Sequence, residues 1–108
     1  MKIKLSEKFT LFTAEIDFNT FFEKSSKALE NHNNQNIVLD ITSIEVTKKD
    51  INLFVEFAKK QIDQKKSFAI VLSAFDADDF SEILNVVPSL TEAIDIIDMD
   101  EMSRDLGF

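Results

Sequence analysis

The side chains best suited to chemistry lie in one short segment, Thr47-Lys48-Lys49-Asp50. A hydroxyl three residues before a carboxylate has the form of a helix-capping box, in which Thr47 accepts from the amide of Asp50 and the carboxylate reaches back. We expect the shorter aspartate to reach back less well than glutamate would. Alternatively, Thr47 or Ser43 could accept a phosphoryl group from a kinase, a role for which the adjacent Lys48 and Lys49 give only weak support.

Other chemistry-bearing side chains are scattered along the chain. His32 lies in the polar run 31–36, where we expect an exposed histidine that is satisfied or solvated at the surface and is not a ligand. Asp95, Asp98 and Glu101 fall three apart along one flank of a predicted helix, a surface cluster that lacks the loop geometry of a tight cation site. Nothing places two carboxylates across a pocket, so no acid–base pair is predicted. We expect no metal ion and no cofactor.

The composition excludes many enzyme classes. Among 108 residues there is one His, one Gly at position 107, and no Cys. Phosphate-binding loops and nucleophile elbows need glycine turns, thiolate zinc sites need cysteine, and metallo-hydrolase centres need several histidines. The sequence therefore predicts a single non-enzymatic domain over residues 1–108.

Charge is distributed unevenly, within a net charge of −8. Residues 76–108 hold ten acidic side chains and one basic side chain, Arg104. This acidic region predicts no binding to nucleic acid and no direct membrane insertion. It is either a solvated face or a docking surface for a basic partner. Because no segment has the length of a signal peptide or membrane span, we expect a cytoplasmic protein.

The hydrophobic pattern predicts strands that alternate with helices. Ile3 and Leu5 alternate, as do Phe9, Leu11 and Thr13, which indicates two short opening strands. Three further predicted strands lie at 37–41, 68–72 and 86–87, and four predicted helices follow residues 17, 47, 76 and 89. The predicted fold class is α/β, with a mixed, mostly parallel sheet of about five strands and about four helices in the order ββαβαβαβα.

Helical spacing also predicts which side chains are buried. Asp17 or Asn19 can cap the first helix, and Ser89 with Glu92 forms a second capping box. The inward residues expected in the three longer helices are Phe18, Phe21, Phe22, Ala28 and Leu29, then Ile51, Phe54, Val55, Ala58 and Ile62, then Ala93, Ile94, Ile97 and Met102.

Eleven phenylalanines, without Tyr or Trp, supply aromatic bulk that has no polar group. Seven are expected in the core: Phe12, Phe18, Phe21, Phe22, Phe54, Phe57 and Phe68. Phe75, Phe80 and Phe108 are harder to bury in a small domain. Phe75 and Phe80 therefore form a candidate hydrophobic contact surface beside the acidic segment, unless they pack beneath the last helix.

The element order and segment lengths resemble the STAS domain, the fold of anti-sigma-factor antagonists and of the cytoplasmic tails of sulfate transporters. The similarity is greatest over residues 36–98, beginning at the strand Asn36-Ile-Val-Leu-Asp-Ile41 and the apolar pair Ile44 and Val46. Where the family has its Asp-Ser-Ser-Gly signature and phosphorylates the second serine, this chain has Lys48-Lys49-Asp50-Ile51. Asp50 thus occupies the phosphoacceptor position.

The resemblance implies a protein–protein interaction module that lacks the usual phosphoacceptor. Its partner would be an anti-sigma factor or a regulatory kinase, bound around the turn through Thr47, Lys48, Lys49, Asp50 and Asn52. Asp50 would be a helix cap, a fixed substitute for phosphoserine, or both. The alternative is a cytosolic accessory or assembly subunit of a membrane transport complex.

A narrower resemblance is to small bacterial STAS-like proteins that end similarly, in Asn85-Val-Val-Pro-Ser-Leu-Thr-Glu-Ala93 and Arg104-Asp-Leu-Gly-Phe108. Some of these proteins carry the label ribonuclease Z. That activity requires a histidine-rich site for two zinc ions. With one histidine in the chain, we judge the label unsupported.

Overall fold

The computed structural model describes residues 1–32 and 34–107. The strands are β1 (Lys2–Leu5), β2 (Thr10–Thr13), β3 (Ile37–Asp40), β4 (Phe68–Val71) and β5 (Val86–Val87). The α-helices are α1 (Phe18–Asn31), α2 (Lys48–Asn52), α3 (Val55–Asp63) and α4 (Leu90–Asp105), and two 3₁₀ turns span Ala77–Asp79 and Glu82–Leu84. Within the described ranges, no helix has both the length and the apolar character needed to cross a membrane.

The five strands form one sheet in the order β1-β2-β3-β4-β5. β1 runs antiparallel to β2, with Ile3 opposite Phe12. The other neighbours are parallel, since helices or turns connect them, and Ile37 pairs with Thr10 on one side and Phe68 on the other. The predicted α/β class and mixed, mostly parallel sheet are confirmed.

The helices differ from the prediction in two places. The helix expected after Thr47 is divided into α2 and α3 at Leu53 and Phe54. At the break, the Leu53 and Phe54 amides donate to carbonyls three residues earlier, at 3.2 and 3.1 Å, which tightens the chain into a 3₁₀-type turn. The acidic helix expected at 76–84 is instead the two 3₁₀ turns, because its aspartates favour local turns over a helix interior.

The larger core lies between the sheet and helices α1, α2 and α3. Phe54 is fully buried at its centre, and its ring lies 5.3 Å from that of Phe22 and 5.9 Å from that of Phe18. α1 begins where the Asp17 carboxylate accepts from the Thr20 amide at 2.8 Å, so Asp17 is the cap. Of the seven phenylalanines predicted for the core, five are buried and two, Phe22 and Phe57, are half-buried against it.

The smaller core lies on the other face of the sheet, beneath α4. Its buried members are Val38, Ala69, Val71, Ala93 and Ile97. Two residues predicted to point inward do not: Ile62 is 53% exposed on α3 and Met102 is 63% exposed on α4. α4 lies over β4 and β5 and buries Ala93 and Ile97 against the sheet. In its last turns, Asp98, Asp100 and Glu101 contact the rest of the protein through polar bonds, whereas Met102 is directed to solvent.

Candidate interaction site at the carboxyl edge of the sheet

The α2 turn, residues 47–53, follows the carboxyl end of β3. The carboxyl ends of β3, β4 and β5 lie at the same edge because these strands are parallel. In open α/β sheets, the loops at this edge are the usual position of binding sites. Residues 72–76, which follow β4, therefore lie beside the α2 turn.

Thr47 and Asp50 form a complete capping box. The Thr47 hydroxyl accepts from the Asp50 amide at 3.1 Å, and the Thr47 amide donates to Asp50 Oδ2 at 2.9 Å. The aspartate therefore reaches the cap amide, and the predicted capping box is confirmed. Both side chains that the sequence marked for chemistry stabilise the first turn of α2. Thr47 and Ser43 are also exposed.

Lys48 connects the α2 turn to the acidic segment after β4. Its ammonium nitrogen lies 3.3 Å from Asp79 Oδ1 and 5.9 Å from the centre of the Phe75 ring. The side chains of Lys48 and Asp79 are 53% and 34% exposed, so solvent screens the pair and its contribution to stability is small. The Lys48–Asp79 pair instead helps to hold the α2 turn beside the acidic segment after β4, two segments that are distant in the chain. The sequence indicated Lys48 but not Asp79.

The hydrophobic contact surface predicted at Phe75 and Phe80 is not exposed as expected. Phe80 is 8% exposed and belongs to the larger core. Phe75 is half-buried and packs edge-on against Phe80, with ring centres 5.9 Å apart. Phe75 and Phe80 thus extend the larger core at the segment that contains the 3₁₀ turns. Phe108, the third phenylalanine named with them, lies outside the described residues.

The outward side of α2 carries Lys49, Asn52 and Leu53. All three are exposed, Leu53 by 52%. Their spacing of three and four residues places them on one side of the helix, opposite the fully buried Ile51. Within residues 1–32 and 34–107, neither Lys49 nor Asn52 makes an ion pair or a side-chain hydrogen bond. The sequence indicated Lys49 and Asn52 but missed Leu53, which the helical spacing could have revealed.

The remaining sequence candidates lie away from this edge. His32 is half-buried, with its ring edge-on to Phe12 at 5.7 Å and its Nδ1 atom 3.2 Å from Gln35 Oε1, so it is a satisfied histidine but less exposed than expected. Of the three spaced carboxylates, Asp98 pairs with Lys8 at 2.8 Å and Glu101 accepts from the Asn36 amide group at 2.7 Å. In the part of the chain that the structure describes, no cluster of His, Asp and Glu could hold a metal ion.

A surface cavity of about 560 Å³ lies at the opposite edge of the sheet. It is lined by Ile62, Lys65, Lys66, Asp100, Ser103, Arg104 and Gly107. At its base, Arg104 donates to the Ser67 hydroxyl at 2.6 Å, and that hydroxyl donates to Asp100 at 2.7 Å. These polar groups are hydrogen-bonded to one another, and they connect α4 to Ser67, the residue before β4. Volume alone therefore does not make this cavity a functional site.

Comparison with protein-family models, with curated proteins and with solved structures finds no match to this chain. The likeness to STAS domains therefore depends on the sequence pattern described above. Function has to be argued from the geometry of the α2 turn.

Proposed function

We propose that this protein is a non-enzymatic interaction module of the STAS type, which binds a partner protein through the α2 turn. The supporting observation is that some residues of the turn stabilise the helix while others are exposed to solvent. Thr47 and Asp50 hold the first turn of the helix in place, while Lys49, Asn52 and Leu53 present a cation, an amide and an apolar side chain to solvent. A small rigid patch of mixed chemistry is suited to recognising another protein.

The fixed carboxylate of Asp50 is central to this proposal. In the STAS resemblance, Asp50 occupies the position of the phosphorylated serine. Its negative charge lies at the N-terminal end of α2, where the backbone amides favour an anion, and it accepts from the Thr47 amide at 2.9 Å. A carboxylate carries about half the charge of a phosphate and two oxygens instead of three. The module would therefore bind its partner constitutively, and a phosphate on Thr47 or Ser43 would be the remaining route to regulation.

The arrangement of the turn favours binding over catalysis. Its polar side chains are either committed to the capping box and the Lys48–Asp79 pair or directed outward from α2. Within residues 1–32 and 34–107, the Thr47 hydroxyl and the Asp50 carboxylate bond to backbone amides of the helix cap, which is not the arrangement of a nucleophile and its base. The resemblance implies an anti-sigma factor or a regulatory kinase as the partner.

The proposal is tested by native co-purification with quantitative mass spectrometry. The turn variant combines Lys49→Glu with Leu53→Gln. The matched control makes the same changes on α3, Lys59→Glu with Ile62→Gln, since Lys59 and Ile62 are also exposed. We expect one soluble protein to be recovered with the wild type and the control, and about tenfold less of it with the turn variant.

The other outcomes are equally informative. If the protein that depends on the turn is a membrane transporter, the accessory-subunit alternative replaces the present proposal. If no protein depends on the α2 turn for its recovery, the turn is not a binding surface and the proposal is wrong.

A further inference from the structure

Three large apolar side chains on α4 are directed away from the protein. Met99, Met102 and Leu106 are 67%, 63% and 68% exposed. The spacing of three and then four residues places them in one line, and the Leu106 amide still donates to the Met102 carbonyl at 3.1 Å, so the helical path continues to the end of that line. We call these three residues the α4 stripe.

The α4 stripe lies opposite the buried side of the helix. Ala93 and Ile97, both fully buried, face the sheet, and at 3.6 residues per turn Met99 and Met102 fall on the far side. α4 is thus apolar on two opposite sides, and residues 1–32 and 34–107 cover only one of them. A solvated helix ordinarily has one apolar side, so the second one requires an explanation.

Carboxylates surround the α4 stripe. Asp95 lies one turn before Met99 in the same line, and Asp105 lies at the flank beside Met102. Both are exposed, and neither takes part in an ion pair within residues 1–32 and 34–107. The other acidic side chains of the last turns are engaged by the protein itself, Asp98 by Lys8 and Asp100 by Ser67. Asp95 and Asp105 therefore remain available to a partner.

From this combination we propose that the α4 stripe docks a basic amphipathic helix of another protein. An apolar line with spacing i, i+3, i+7 matches the way one helix packs on another, and flexible methionines adapt to the partner's side chains. Lysines or arginines beside the apolar face of the partner would meet Asp95 and Asp105. This surface lies across the sheet from the α2 turn and does not depend on the function proposed for that turn.

Charge argues against two other occupants. A second copy of this chain, packed stripe to stripe, would bring two strongly acidic helices together, and like charges at an interface are costly. Membrane-surface helices carry lysine and arginine on their polar side, whereas the flanks of the α4 stripe repel anionic lipid. A basic partner satisfies both the apolar side chains and the carboxylates.

The test uses the full chain and three synthetic peptides of about 18 residues each. The first is lysine-rich with leucines at i, i+3 and i+7, the second has the same composition with the leucines redistributed, and the third replaces lysine with glutamate. Binding is measured by fluorescence anisotropy at roughly 0.15 M salt, and the contact surface is mapped by amide NMR shifts. We expect the first peptide to bind at least about tenfold more tightly than the others, with shifts on α4.

Two pairs of variants separate the apolar and the charged contributions. Met99→Gln with Met102→Gln should weaken binding of the first peptide about tenfold, whereas Leu5→Gln with Ile62→Gln, which removes exposed apolar groups elsewhere, should not. Asp95→Asn with Asp105→Asn should weaken binding and flatten its salt dependence, unlike the control Glu23→Gln with Glu56→Gln. All four positions changed in the apolar pairs are more than half exposed, so we expect these variants to fold, which circular dichroism verifies.

Three results would overturn the proposal. The first is equal binding of the peptide with redistributed leucines, which would indicate simple attraction between charges. The second is unchanged binding after the methionine substitutions. The third is a concentration-dependent dimer that those substitutions abolish, which would make the α4 stripe an interface between copies of this chain. If the α2-turn substitutions do not change partner recovery in the co-purification experiment, these peptide-binding measurements on α4 are unaffected.

Discussion

On one face of the sheet, three helices cover large side chains, and Phe54 is fully buried among aromatic rings from α1, α3 and β4. On the other face, a single helix covers a thin layer to which it contributes Ala93 and Ile97. Polar contacts supplement that thin layer. They are Asn36 to Glu101 at 2.7 Å, Ser67 to Asp100 at 2.7 Å, Arg104 to Ser67 at 2.6 Å and Lys8 to Asp98 at 2.8 Å.

The difference shows that helices can be held against the two faces of one sheet by two different kinds of interaction. The helices of the first face are held mainly by apolar burial, which depends little on pH or salt. α4 is held partly by hydrogen bonds and ion pairs, which are sensitive to both. We therefore expect α4 to open locally at lower free energy than the three-helix face. The following predictions test that contrast, from the largest effect to the smallest.

Removal of the aromatic side chain at the centre of the three-helix face should have the largest effect. Phe54→Ala leaves a cavity among at least four rings, and we expect the free energy of unfolding to fall by about 3–5 kcal/mol. Urea denaturation measures this loss. Leu53→Ala, at a neighbouring residue that is 52% exposed, is the control and should cost far less. Equal losses at the two positions would contradict the view that the aromatic core dominates this face.

Removal of a buried polar side chain that connects α4 to the sheet should have an intermediate effect. The Asn36 side chain is 5% exposed and bonds to the Lys8 carbonyl, the Ser67 amide and Glu101. Asn36→Ala leaves these groups unpaired, and we expect a loss of about 1–3 kcal/mol. Hydrogen exchange should quicken in α4 more than in α1. If hydrogen exchange quickens equally in α1 and α4, the two faces open together, and the expectation that α4 opens at lower free energy is wrong. Asn52→Ala, at an exposed position, is the control.

The capping box should contribute less. Thr47→Ala removes the acceptor for the Asp50 amide, and we expect a loss of about 1 kcal/mol. Asp50→Asn and Asp50→Ser separate capping from partner binding. If thermal stability falls while recovery of the turn-dependent partner is unchanged, Asp50 is only a cap. If recovery falls beyond what the lost stability explains, its charge contributes to recognition.

The smallest effects on stability should come from two titrating side chains, and the direction of the pH dependence differs between the two faces of the sheet. On the α1 side, hydrogen bonds from Thr20 lower the pKa of Asp17, so its stabilisation is present above about pH 4 and is lost as the pH falls. On the α4 side, the hydrogen bond and charge of Asp98 raise the pKa of Lys8, so its stabilisation is present at neutral pH and is lost above about pH 10.

Thermal melts across pH check these signs. Asp17→Asn should remove only part of the acid dependence, and Lys8→Gln should remove only part of the alkaline dependence. High salt should weaken the Lys8 contribution more, because that side chain is 54% exposed in an ion pair. An alkaline loss of stability that persists unchanged in Lys8→Gln would show that another group is responsible.

Features set by local chemistry were predictable from the sequence. The strands follow from short apolar runs, α1 is capped by Asp17, one of the two residues predicted for that role, and the Thr47 box forms because its partners lie three residues apart. The second predicted box is only half formed: the Ser89 hydroxyl accepts from the Glu92 amide, but the Glu92 carboxylate bonds to that hydroxyl instead of the cap amide.

Features set by tertiary packing were not predictable. The helix after Thr47 breaks so that Phe54 reaches the aromatic core, although the local pattern favours one continuous helix. The Lys48–Asp79 pair joins residues that only the fold brings together. In both cases the deciding contact is distant in sequence. The exposure of Met102, by contrast, follows from local geometry, because at 3.6 residues per turn it lies opposite the buried Ala93 and Ile97.

The sheet has one further consequence, for how the chain folds during synthesis. Its spatial order, β1 to β5, is also the order in the chain, so each strand emerging from the ribosome meets a neighbour that is already present. No strand has to insert between two others, but each parallel pair still needs a long connection to close, which slows folding. α4 follows all five strands in the chain, and until it docks, Val38, Ala69 and Val71 stay uncovered. That exposed strip is where the growing chain is most open to aggregation or to capture by a chaperone.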